Sequence, residues 1–172
     1  MKSLFFGAAL AATMLAGAAS ASSVRVSYQS PGGLYGSDDL YKQIEVRSDG
    51  RRRWGRANAG MYHMTGSNGY GDFLSFCVEL NQGLRNRQYY TTSSTKFSDD
   101  VFTNIGRLFT TALGGNSMEA AIDTADKAAG FQVALWEIMK DTTAVGATFD
   151  LGSGDFQMRG NGSVTAQAET YL

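Results

Sequence analysis

The chain has one cysteine (Cys77), one histidine (His63) and one proline (Pro31) among its 172 residues. A lone cysteine cannot close a disulfide within the chain, so this is no disulfide scaffold. One His and one Cys do not supply the ligands of a zinc site, and no metal or other cofactor is expected. The same scarcity limits acid–base chemistry, because any Ser, Thr or Cys nucleophile would have His63 as its only imidazole base. No Walker-type or dinucleotide glycine motif occurs. Nor is there an apolar run of the roughly 20 residues that cross a bilayer. Charge of one sign is also missing: 15 Lys and Arg face 16 Asp and Glu, a formal net charge of −1. Nucleic-acid partners normally call for a clear basic excess, so none is expected.

What is present begins at the N-terminus. Lys2 precedes an apolar stretch from Leu4 to Leu15, and small residues follow to Ala19-Ser20-Ala21. That order is the pattern of a cleavable secretory signal, predicted here over residues 1–21. Residues 22–172 then form one domain of 151 residues, with 14 basic against 16 acidic groups once Lys2 is removed. The expected location is secreted or at the cell surface. In such a compartment an unpaired cysteine is an intermolecular link, a reactive thiol or an inert buried residue.

Twenty-one glycines point to many tight turns. Val24, Val26 and Tyr28 alternate with polar residues, as do Ile44 and Val46 ahead of the hairpin signal Asp49-Gly50. Arg51, Arg52, Arg53 and Arg56 bracket Trp54, either as an anion or glycan patch or as a solvated hairpin arm. Gly60 to Met64 reads as a strand, and Asp72 to Leu80 as another with Cys77 near its middle. The period then changes. Ser98-Asp99-Asp100 starts a helix whose apolar stripe is Val101, Ile105, Leu108, Phe109 and Ala112, with Gly114-Gly115 as the stop. Asn116 is expected to cap a second helix running from Ser117 to Met139, with Phe131, Leu135 and Ile138 facing the core. Ala147–Leu151 and Asp155–Met158 read as β-like, and Val164–Leu172 as helix-prone. The expected class is α+β: a mostly antiparallel β-sandwich or barrel-like framework with a compact two-helix insert.

Two segments carry the chemistry: Phe76-Cys77-Val78-Glu79, and Phe131-Gln132-Val133-Ala134-Leu135-Trp136. Together they resemble the thioester-domain family of bacterial surface and adhesin proteins. In that family an aromatic-Cys-apolar strand motif meets an apolar-Gln-x-x-apolar-Trp helix motif. The run from Phe131 to Ile138 followed by Asp150 to Gln157 also looks like thioester-type domains of Gram-negative proteins that carry a C-terminal sorting tail. The resemblance implies an internal thioester between Cys77 and Gln132. It further implies covalent attachment to an amine or hydroxyl group of an external surface or matrix molecule, a single-use reaction rather than turnover. Phe76, Phe131 and Trp136 are the implied supporting residues; Glu79, placed by strand spacing, is either a further support that polarises the thioester or a simple exposed carboxylate.

The residues add their own argument. Gln132 and Trp136, four apart on a helix, share a face. That face adjoins an apolar stripe, where an electrophilic acyl group is shielded from water. Glu79, two residues beyond Cys77 on a strand, would project to the same side. Without the resemblance, Cys77 is equally a buried strand residue, Gln132 a solvent-facing helix residue and Trp136 plain core. Two other functions therefore remain open at this point. One is a non-covalent structural or carbohydrate-binding surface domain; the other is a thiol hydrolase or transpeptidase using Cys77 and His63.

Overall fold

A computed structural model describes residues 4–6, 23–28, 33–36, 38–80, 85–91 and 97–172. The elements in chain order are β1 (Leu4–Phe6), β2 (Ser23–Tyr28), β3 (Tyr41–Ser48), β4 (Gly55–Gly60), β5 (Tyr62–Gly66), β6 (Gly71–Cys77) and β7 (Gln88–Thr91). Then follow α1 (Asp99–Leu113), α2 (Met118–Ala121), α3 (Ala125–Asp141), β8 (Phe156–Arg159) and α4 (Gly162–Tyr171). Two antiparallel sheets result, one ordered β1-β6-β5-β2-β7 and the other β4-β3-β8. With four α-helices beside them among the described residues, the class is α+β. Among the described residues no helix is long and apolar enough to cross a membrane. Most of the segment read as an export signal lies outside the described residues. Its Leu4–Phe6 portion forms β1, paired along the outer edge of β6 with Leu4 opposite Cys77.

Alternation explains the strands. Ile44, Val46 and Ser48 turn inward on β3, while Val24 and Val26 do so on β2. Asp49 and Gly50 both take positive φ, 56° and 68°, which reverses the chain between β3 and β4 as the Asp-Gly pair predicts. The Gly60–Met64 strand expected from sequence is instead divided. Met61 leaves the ladder to donate its N–H to Leu40 C=O at 3.0 Å, separating β4 from β5.

The helical region also departs from expectation. Ser98 caps α1, accepting from Val101 N–H, and Gly114 ends it in the left-handed conformation. Ser117, not Asn116, caps the next helix; the Asn116 amide turns back to the last turn of α1 at Leu113 C=O. The single helix expected over 117–139 breaks after Ala121. Thr124 accepts from Lys127 N–H at 3.2 Å and so starts α3 afresh, because a hydroxyl bonded to the backbone competes with continuing the helix. The insert thus comprises α1, the one-turn α2 and α3.

Within α3 every residue from Ala128 to Ile138 is buried, on all sides rather than along one stripe. A helix apolar nearly all round is a core element, and α3 has neighbours on several flanks. Sheet β4-β3-β8 packs on one flank, α1 on another, and α4 on a third. Gly130 permits the last of these: a Cβ there would stand 2.7 Å from Gln167 Cγ and 3.1 Å from the Ala168 backbone nitrogen. Ala147–Leu151 is not a strand. Side chains of the helices take up the backbone of this segment and its neighbours, as the Asn104 amide accepts from Gly146 N–H and Asp141 from Asp155 and Phe156 N–H.

Candidate functional site

Pairing between β5 and β6 stops at Tyr62 opposite Ser75, two residues before Cys77. At Cys77 the side chain of Gln132 replaces a strand. Its Oε1 accepts from Cys77 N–H at 2.7 Å, and its Nε2 donates to Cys77 C=O at 2.7 Å. A side-chain amide has the same donor and acceptor as a peptide unit, so it completes the edge of β6 from the middle of α3. Gln132 is wholly buried. A buried amide is costly unless both ends are bonded, and here both are.

The neighbours of these two residues lock the same junction. Phe76 and Phe131 meet ring to ring at 4.4 Å, so consecutive residues on β6 face consecutive residues on α3. Phe109 closes edge-on over Phe131 at 5.0 Å. Such aromatic pairs contribute roughly 0.5–1.5 kcal/mol each beyond area burial. Cys77 itself packs against two cores: the large one around α3, and a smaller one of Val24, Val26, Tyr62, Met64 and Tyr90.

The half-buried Cys77 sulfur donates to Glu79 C=O at 3.2 Å and is hydrogen-bonded by the Tyr62 hydroxyl. Burial pushes its thiol pKa up, and the Glu79 backbone and the Tyr62 hydroxyl only partly oppose that. The resting group is therefore a protonated thiol at neutral pH. Tyr62 is raised by burial as well and bonds on to Tyr35, which burial lifts to about 12.

Other sequence candidates fall in different places. Because β6 ends at Cys77, Glu79 lies outside the strand, and the two-residue alternation invoked for it does not apply. What Glu79 gives the sulfur is its backbone carbonyl. Trp136 is buried against Phe156 of β8, with ring centroids 6.0 Å apart and its indole N–H unpartnered. His63 follows Tyr62 on β5 and so projects to the opposite face from the hydroxyl that meets the sulfur. Its ring lies against Gly36, where a Cβ would come within 3.0 Å.

One buried ionisable group escaped the sequence reading. Glu137, next to Trp136, is 1% exposed; Oε1 accepts from Asp150 N–H at 3.1 Å and Oε2 has no partner. Burial first, then the nearby Asp141 and Asp150 charges, lifts its pKa to about 7. The available signal was a carboxylate inside an otherwise apolar run, Val133 to Met139.

Comparison with family models, with curated proteins and with solved structures gives no match to this chain. Among the described residues, no three His, Cys, Asp or Glu side chains gather as a metal site.

Proposed function

We propose that the chain is an exported surface domain in which Cys77 and Gln132 form an internal thioester. The bond would serve for one covalent attachment to an amine or hydroxyl of an external molecule. The observation that carries this reading is the buried Gln132 amide gripped at both ends by the backbone of Cys77. Its carbonyl carbon is one bond from each of the two atoms so held.

In the forming step the Cys77 sulfur adds to Gln132 Cδ, the thiol proton passes to Nε2, and Nε2 departs as ammonia. Charge gathers on Oε1 during the addition, where Cys77 N–H already donates at 2.7 Å. A fixed donor at a developing oxyanion is a strong stabilising device. Loss of Nε2 breaks its bond to Cys77 C=O and leaves the acyl carbon on sulfur, still polarised through Oε1. An arriving amine then adds to that carbon, the C–S bond breaks, and Gln132 becomes a secondary amide while Cys77 takes back a proton. The Tyr62 hydroxyl bonded to the sulfur is suited to stabilise it as it leaves. This chemistry uses geometry and water exclusion in place of a His base. It is spent in one event, so the protein is not read as an enzyme.

Export with loss of residues 1–21 would remove β1 and uncover the edge of β6 from Ser75 to Cys77. That edge is then the natural side for an external partner's approach.

A second reading has an observation of its own. Gln132 is hydrogen-bonded at both ends of its amide, so it can cap the end of β6 in a non-covalent structural domain. Incubation with a small primary amine separates the two. The covalent reading expects the amine on Gln132 with a free thiol at Cys77, and no labelling in Cys77→Ala or Gln132→Ala. An unlabelled wild-type protein leaves the non-covalent domain.

A further inference from the structure

We propose that the arginine-rich hairpin between β3 and β4 is a binding site for an anionic polysaccharide, one bearing sulfate, phosphate or uronate groups on its sugar rings. Six of the ten arginines of a chain with net charge −1 gather here: Arg47, Arg51, Arg52, Arg53, Arg56 and Arg159. Five of them border one hollow of about 520 Å³. A second hollow of about 250 Å³ continues from it past Arg47, Arg51 and Arg52. Cavities of these sizes suit one or two small rings.

The arrangement is built rather than merely exposed. The Trp54 ring gathers two guanidinium groups, Arg159 at 4.4 Å and Arg47 at 4.9 Å from its centre. Arg47 is held further by Gln157 Oε1, and Arg159 by Glu45 at 2.9 Å. The turn that carries Arg51 to Arg53 is pinned to the end of α3 by Asp49, whose carboxylate pairs with Lys140 at 2.7 Å. Arg52, Arg53 and Arg56 make no ion pair with a described residue. Three carboxylates lie by the group: Glu45 on Arg159, Asp49 near Arg51, and Asp155 on the rim of the second hollow. Like charges crowded round a concavity repel until an anion enters, and a guanidinium fork matches two oxygens of a sulfate, phosphate or carboxylate.

A sugar fits better than a nucleic-acid strand. Val46, Ala57 and Leu80 give the larger hollow an apolar lining suited to the C–H face of a pyranose, while the guanidinium rim meets its charged substituents. Base stacking needs a free aromatic face, whereas Trp54 already engages two guanidinium groups. Leu80, three residues after Cys77, links the hollow through the chain to the junction described above. The binding itself does not depend on the thioester.

The test is titration calorimetry of the purified protein with a sulfated hexasaccharide, its desulfated counterpart and a single-stranded oligonucleotide of equal charge. Binding to the sulfated sugar alone, weakened by added salt, is expected. Arg52→Gln and Arg53→Gln should each lower affinity about tenfold. Both residues are exposed, and an unchanged melting curve verifies the fold. Cys77→Ala should bind as the wild type does, which keeps this result separate from the covalent reading. No binding of the sulfated sugar, equal binding of the desulfated one, or tighter binding of the oligonucleotide would overturn the proposal.

Discussion

Glu137→Gln should stabilise the protein at pH 8 and do little at pH 4. Burial, above all, lifts the folded carboxyl from its ordinary 4.5 to about 7. Folding therefore favours the protonated form. The sign follows from proton linkage: below about pH 4.5 the group is protonated in both states and contributes no penalty. Stability falls as pH rises from there to about 7, and above that the loss is complete. The difference of about 2.5 units corresponds to roughly 3 kcal/mol as an upper figure. Glutamine keeps the acceptor for Asp150 N–H but carries no charge, so it escapes that loss. Its NH₂ group replaces Oε2, which has no partner, but the protonated carboxyl carries an unmet O–H there too, so that cost largely cancels and the variant does little at pH 4. The net gain at pH 8 is then at most about 3 kcal/mol. Urea unfolding of both proteins at unit intervals from pH 4 to 8 measures it, with equal m-values as the check on two-state behaviour. A difference between the two proteins that does not change with pH would refute the reasoning.

Gln132→Ala removes both bonds to Cys77, leaving its N–H and C=O unmet at about 1–3 kcal/mol each, so it should cost about 2–6 kcal/mol; thermal or urea unfolding reads it. His63→Ala should leave amine labelling at the wild-type level, since the ring faces away from the sulfur; loss of labelling with the fold intact would favour a thiol enzyme. N-terminal sequencing of secreted protein should begin at Ser22 or within a residue or two of it, and retention of Met1 in a membrane fraction would contradict the export reading.

Local signals in the sequence reached the strand at Cys77, the helix at Gln132 and the α+β class. They missed where β6 ends, because the group that completes its edge is a side chain 55 residues away. Thr124 was passed over as a cap inside a long periodic segment. Apolar spacing within α3 suggested one buried stripe, yet the fit of α4 over Gly130 buries another flank, which no local period encodes. Glu79 was placed by strand alternation, and that argument fails one residue past Cys77. Glu137 carries no local sign of its burial beyond its place in an apolar run. Only the segment around Asp150, folded back by contacts with α3, buries it.

The mass of freshly purified mature protein bears most directly on the central claim. A Cys77–Gln132 thioester predicts a mass one ammonia below that of the sequence, restored in Cys77→Ala to the full mass expected for that variant. A wild-type protein at full sequence mass, with Cys77 titrating as a free thiol from the outset, would contradict the covalent account.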